Sequence, residues 1–415
     1  AEQNMQTRKY QLSIINSTGY YWASSTDGPG GQPILEWRDG MPKIYYSRNF
    51  DDAEYYYMEF KDGEALGTFQ LRKILKPDVY AQIRNKNSNY YLVLNNSHEA
   101  FMSVVDPLYR HIVLGHNIPA EKIILMTGSF DIVTEIEKVR ERYGKPAVKA
   151  ELTMDFEDTA HTHYEVLRHL GEWNPPKTMH SGPYEKKFLN FNRRWRLHRP
   201  TFVMMLKQAG LLDQGFVSLA KSDCGSKWGE QMWQTIVSMH QEFPHIVSMA
   251  YDIKDELMQM PDLYLDEQDL VTNRADIETT DAHNKLYEQS YFSLVSETNF
   301  YTAHEGYENS RFLSEKAWKP ILFKHPFIMI STPGILGALR QIGYKTFEGV
   351  IDETYDSIQD DGKRLEAIIR ETQRLCAFND QERDDFIRGC QPILDHNFEV
   401  LTRKRIFHHK LNYTL

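Results

Sequence analysis

The chain has 415 residues, 41% of them hydrophobic and 26% charged, and carries a formal net charge of −10 at pH 7. That length is more than one hydrophobic core serves, so two domains are expected. The acidic balance excludes a protein that coats nucleic acid indiscriminately, while leaving room for a local basic groove.

No apolar run reaches the roughly 18–20 residues that span a bilayer. The start, Ala1 to Tyr10, is polar and lacks the basic-then-apolar layout of a secretory signal. Three cysteines, Cys224, Cys376 and Cys390, are widely spaced and form no CxxC pair, which suits reduced thiols in a cytoplasmic protein.

Residues 7–75 are rich in aromatics and glycine, with Tyr20-Tyr21-Trp22, Gly28-Pro29-Gly30-Gly31 and Tyr55-Tyr56-Tyr57; the texture predicts short strands and loops. A strand over 90–95, a helix over 106–114, a strand over 122–128, a charged amphipathic helix over 132–143 and a strand over 147–154 follow. After a turn-rich stretch at 169–184, strands are expected at 187–192, 215–219, 291–296 and 326–330. Helices are expected at 198–208, 314–323, 334–342, 364–378 and 381–405, and the acidic 255–281 reads as a surface excursion. Strands alternating with helices imply parallel sheets and an α/β fold. The expected domains are 1–180 on the acceptor side and 181–390 on the nucleotide side, with 391–415 a C-terminal helix packing back.

The densest chemistry lies in Ser296-Glu297-Thr298 at a strand end and in Ser314-Glu315-Lys316, where a new helix opens. Ser314 can cap that helix, and the free amides of its first turn favour an anion. Lys316 and Lys319 supply counter-charge for a diphosphate, and Glu315 can accept from a ribose diol. Locally, an N-capped helix with solvated charges would look the same; its place between two buried strands favours the ligand site. Asn192-Arg193-Arg194 ends a strand, where one of Arg193, Arg194 or Arg199 can clamp a diphosphate with a planar fork. A general base is expected just past the strand over 90–95, as Glu99 with His98, and Asp131 behind them. The pairs at His161 and His163 and at His408 and His409 lack convergent ligand spacing, and no GxxxxGK[ST] string occurs; no metal and no cofactor beyond a nucleotide-diphosphate co-substrate are expected.

Ser296-Glu297-Thr298, Phe312-Leu313-Ser314-Glu315-Lys316 and Pro326-Phe327-Ile328 together resemble the donor-binding motif of α1,3-fucosyltransferases and related GT-B glycosyltransferases. Ser314 stands for the family's threonine and Thr298 for its asparagine, and 299–310 resembles an insertion. The resemblance implies two Rossmann-like β/α domains facing across a cleft. It also implies a UDP- or GDP-sugar donor, Glu315 on the donor ribose, Lys316 on the diphosphate and Glu297 in the donor-binding set. The wider pattern, with Asn192-Arg193-Arg194 ahead and Gly343-Tyr344-Lys345 behind, is similar to glycosyltransferase-like proteins of tailed bacteriophages, whose class modifies DNA bases. That leaves two acceptors open, a hydroxymethylated base in DNA or a cell-surface or lipid-linked glycan. A non-catalytic nucleotide- or glycan-binding protein is the third reading.

Overall fold

Short apolar runs bounded by polar turns become strands, and the amphipathic stretches between them become helices. The computed structural model describes residues 11–14, 21–24, 35–38, 41–44, 54–60, 62–99, 101–177, 182–192, 196–219, 229–259, 263, 281–302 and 309–403. The glycine-rich turn at 28–31, Arg193, Arg194, Cys224 and the basic run after Arg403 lie outside the described residues.

The chain opens with β1 (Gln11–Ile14), β2 (Tyr21–Ser24), β3 (Leu35–Arg38), β4 (Met41–Ile44) and β5 (Glu54–Glu59). Three short helices follow, α1 (Gly63–Thr68), α2 (Leu71–Ile74) and α3 (Pro77–Arg84), and then β6 (Tyr90–Asn96). α4 (Val105–Pro107) continues as a π-helix over Leu108–Gly115, ahead of β7 (Ile123–Thr127), α5 (Ile132–Tyr143), β8 (Lys149–Leu152) and α6 (Asp155–Leu170). The second half holds β9 (Phe188–Asn190), α7 (His198–Gln208), β10 (Gly215–Val217), α8 (Glu230–Met239), α9 (Pro244–Asp252), α10 (Lys254–Gln259) and α11 (Asp281–Glu288). It closes with β11 (Phe292–Ser296), α12 (Glu315–Leu322), β12 (Phe327–Ile330), α13 (Ile335–Gln341), α14 (Asp361–Cys376) and α15 (Asp380–Arg403).

Two compact units emerge. Unit 1 takes residues 1–159, Ser310–Phe312 and 404–415; unit 2 takes 160–309 and 313–403. The change of unit falls inside α6, ahead of the turn-rich stretch at 169–184 that was expected to divide the chain. α6 and the helices α1–α3 and α8–α11 were not anticipated.

Unit 1 has a six-stranded sheet in the order β3-β4-β5-β6-β7-β8, antiparallel from β3 to β5 and parallel from β5 to β8. Its core joins Leu92, Leu94, Ile123 and Leu125 from the strands to Ile132, Ile136 and Val139 of α5. Gly144, in the left-handed region at φ +59°, ends α5 where a side chain would strain the backbone. At the end of β7, a Cβ on Gly128 would stand 2.6 Å from the Ser97 carbonyl oxygen and 2.5 Å from the Phe312 ring. Gly128→Ala is therefore expected to cost about 1–3 kcal/mol; an unchanged urea midpoint would show that the β6–β7 loops yield freely.

Unit 2 has an all-parallel sheet in the order β10-β9-β11-β12. Both units are thus α/β, as the alternating pattern predicts. Phe188, Phe292, Leu294, Ile328 and Ile330 lie buried in the sheet, and the residues of α7 from His198 to Leu206 are all buried as well. Cys376 and Cys390 are buried free thiols, and burial pushes the Cys376 thiol up to about 12. Among the described residues no helix is long and apolar enough to cross a membrane, and no three metal-ligating side chains converge.

Candidate functional site

In an open parallel sheet, a crevice forms at the carboxyl ends of two neighbouring strands whose connections leave in opposite directions. In unit 2 the chain steps from β9 to β10 on one side and from β11 to β12 on the other, so the crevice lies between β9 and β11.

Asparagines stitch its rim. The Asn190 amide nitrogen donates to the Leu294 carbonyl at 2.8 Å and to Ser296 Oγ at 3.2 Å, tying β9 to β11. Asn192 donates its side-chain amide to Asn190 Oδ1 and its backbone N–H to Ser218 Oγ at 3.0 Å. Its own Oδ1 is buried with no partner among the described residues, which leaves an unspent acceptor beside the crevice.

On the β11 side, Glu297 turns inward and is wholly buried. Its carboxylate accepts the Ser314 N–H at 3.2 and 3.3 Å and the Thr298 N–H at 3.0 Å, bolting the strand end to the start of α12. Burial raises this carboxyl above its usual range, against the opposing charge of Lys316. Its backbone carbonyl accepts from His198 Nε2 at 2.9 Å and from Arg199 at 3.3 Å, and Arg199 also donates to the Ser296 carbonyl at 3.2 Å. Burial, with Arg199 beside it, holds His198 well below its ordinary value, so the ring is neutral and carries its proton on Nε2. Glu297 and Arg199, both expected to touch a donor, also tie β11 to the starts of α12 and α7.

α12 presents the remaining candidates. Ser314 caps it, its Oγ accepting the Lys316 N–H at 3.4 Å. The Lys316 ammonium donates to Glu315 Oε1 at 2.6 Å and to Ser314 Oγ at 3.2 Å. Burial would raise the Glu315 carboxyl, but the Lys316 charge outweighs it and holds the group below the usual carboxylate range. Glu315, Lys316 and Lys319 are partly exposed, while Trp318 on the other face is fully buried and anchors the helix. The next helix start is closed. Asp356 accepts the Leu336 N–H at 3.2 and 3.3 Å at the head of α13, so that first turn already faces a carboxylate.

A second layer fixes the loops behind the crevice. Arg364, 1% exposed, donates to the carbonyls of Phe300 at 2.7 Å, Ser331 at 3.0 Å and Ile358 at 2.8 Å, and pairs with Asp361 at 2.6 Å. Asp361 in turn accepts from the Thr302 N–H and hydroxyl, each at 3.2 Å. The guanidinium lies 4.3 Å from the Phe300 ring centroid, and that ring stacks on His198 at 5.3 Å. Sequence reasoning missed Asn190, Asn192, Asp361 and Arg364; only the two asparagines, polar at a buried strand end, carried a visible signal.

In unit 1, His98 and Glu99 occupy the turn after β6, both partly exposed, with the Glu99 N–H donating to the Asn96 carbonyl at 3.2 Å. Asp131 is committed elsewhere: its carboxylate takes the Arg311 guanidinium at 2.7 and 3.0 Å and the Arg311 N–H at 2.7 Å. Near the end of β8, Glu151 is 8% exposed; burial raises its carboxyl, and only one of its oxygens meets Lys149, at 3.0 Å. Glu151 is a titratable group the sequence reading passed over, because it alternates within a strand.

No family model and no curated protein matches the chain. Among solved structures it is similar to a trehalose-6-phosphate synthase studied with bisubstrate glycomimetics, at 11% identity and a TM-score of 0.37, covering 85% of this chain and 72% of that one. A UDP-forming α,α-trehalose-phosphate synthase from Burkholderia xenovorans gives 11% identity and a TM-score of 0.35, covering 81% and 75%. The α,α-trehalose 6-phosphate synthase of Burkholderia multivorans gives 13% identity and a TM-score of 0.32, covering 82% and 72%. Overlaps this loose assign no residue a role.

Proposed function

We propose that the chain is a glycosyltransferase of the GT-B plan that moves a sugar from a nucleotide-diphosphate donor, UDP- or GDP-linked, to a hydroxyl acceptor. The observation that carries the reading is the capped start of α12 beside the β9–β11 crevice, with Glu315, Lys316 and Lys319 partly exposed. Lys316 and Lys319, with one of Arg193, Arg194 or Arg199, neutralise the diphosphate; Glu315 accepts from the ribose hydroxyls. In the reaction the bond from the anomeric carbon to the diphosphate oxygen breaks and the acceptor oxygen bonds to that carbon. The diphosphate leaves as an anion, and the acceptor proton passes to Glu99, with His98 beside it.

A thermal-shift panel of nucleotide diphosphates and their sugars, run with chelator, tests the site. A ligand at a hundredfold excess over its Kd should stabilise the chain by about 2.7 kcal/mol. Glu315→Ala and Lys316→Ala should each abolish the shift. If no nucleotide stabilises the parent chain, the donor site is lost and a binding protein of another kind takes its place.

For the acceptor we propose a hydroxymethylated base in DNA, flipped from the stack, with the chain acting in the cytoplasm where that DNA is made. Support comes from the phage-like resemblance and from the basic runs at 192–199 and 403–410. Acceptor affinity that falls steeply with salt fits DNA; a shallow dependence points to a glycan.

A further inference from the structure

In unit 1, cations gather round one tyrosine, and among the described residues no carboxylate pairs with its two arginines. Tyr80, on α3, is buried. Arg72, on α2, donates from Nε to the Tyr80 hydroxyl at 3.3 Å, and its guanidinium lies 5.8 Å from the ring centroid. Arg84, the last residue of α3, lies 5.3 Å from the same centroid. His116 donates from Nε2 to the Phe69 carbonyl at 3.0 Å, which leaves Nδ1 to accept the Tyr80 hydroxyl proton at 3.2 Å.

Two features set this group apart. Most described arginines of this acidic chain face a carboxylate, as Arg140, Arg311 and Arg374 do. Arg72 and Arg84 have none among the described residues, and the Arg84 Nε–H is shut off from solvent with no acceptor. Burial lowers His116 below its ordinary value, and the charges of Arg72, Arg84 and His111 push the same way.

We infer that Arg72 and Arg84, gathered on the Tyr80 ring with His116 at its hydroxyl, form a binding site for a phosphate group. A carboxylate offers two oxygens; phosphate offers more, and a planar guanidinium fork suits a pair of them. The phosphate can come from a small phosphomonoester or from the backbone of a polynucleotide, and both carry the same recognising chemistry. The site involves no residue of α12, so it stands or falls apart from the donor reading.

The test uses the full chain and two probes. Inorganic phosphate is titrated while the His116 ring resonances are followed by NMR, and a single-stranded twelve-nucleotide DNA is titrated by fluorescence anisotropy over a range of salt. Arg72→Gln and Arg84→Gln should each weaken phosphate binding about fivefold or more, and Arg84→Lys, which keeps charge but not the fork, should recover part of the loss. If the oligonucleotide also binds and its log K against log salt slope falls by about one for each arginine removed, the phosphate belongs to a polynucleotide. If phosphate responds to the variants and the oligonucleotide does not, a small phosphorylated molecule is the ligand. Arg72 lies on the surface, so its variant keeps the test alive should Arg84→Gln fail to fold. Variants of unchanged Tm that bind both probes as the parent does, or a His116 resonance unmoved by phosphate with an oligonucleotide blind to both arginines, would overturn the inference.

Discussion

Replacing Arg364 with methionine is expected to destabilise unit 2 by about 3–5 kcal/mol, the usual cost of breaking a buried ion pair from one side. The guanidinium serves the carbonyls of Phe300, Ser331 and Ile358 as well as Asp361, so its loss orphans acceptors on the loops leaving both β11 and β12. Adding Asp361→Asn should return part of the loss. An amide oxygen can still accept from Thr302, and no bare charge is left inside. Urea unfolding of the single and double variants, read as a cycle, measures this directly. A single-variant cost below about 1 kcal/mol would mean that water or a neighbouring chain segment replaces the guanidinium.

The second large effect is a loss of stability in acid. His325 is wholly buried, with Nε2 donating to the Ser290 carbonyl at 3.0 Å and Nδ1 accepting from Ser293 Oγ at 2.7 Å. Burial lowers it to about 4. An unfolded chain takes up this proton near pH 6.5, whereas the folded chain resists it, so the stabilisation is complete above about 6.5 and drains away towards pH 4. A depression of that size amounts to about 3 kcal/mol. His198, lowered in the same direction, adds to the trend. The carboxyls of Glu297, Glu353 and Asp356, raised by burial, act with the opposite sign. The parent-minus-variant difference is therefore the quantity to plot. Tm measured from pH 7.5 to pH 4 should fall more steeply for the parent than for His325→Gln. Parallel curves would show that the imidazole titrates as freely folded as unfolded.

Much of this architecture was legible because the strands that matter are short, apolar and closed by polar turns. Residues 291–296 and 326–330 announce buried parallel strands, and Ser314 announces the helix that follows. Ile132 to Tyr143 carries its amphipathic face openly and ends on a glycine. α6 was harder: Asp155-Phe156-Glu157-Asp158 opens it with a run of acids, which favour a helix start but equally suit an exposed loop. The inward turn of Glu297 could not be read at all, because a glutamate after a buried strand is as often solvated as bolted to backbone amides. Asp361 and Arg364 pose the same problem, since an i, i+3 pair on a charged helix ordinarily lies in water. What separates the two cases is the loop packed over them, which no local spacing reveals.

Unit 1 is not finished where its continuous stretch ends. Residues Ser310–Phe312 belong to it: Arg311 seals Asp131, the Phe130 N–H donates to the Arg311 carbonyl at 3.0 Å, and Phe312 lies over Gly128 and against Phe156 at 6.0 Å. None of those contacts can form on the ribosome until residue 312 has been made. At about 5–20 residues per second, the nascent first unit waits roughly 8–30 s after residue 159 with the floor over Gly128 bare. The order of synthesis and the order of completion are therefore different, and the first unit to begin cannot be completed until most of the second has been synthesised.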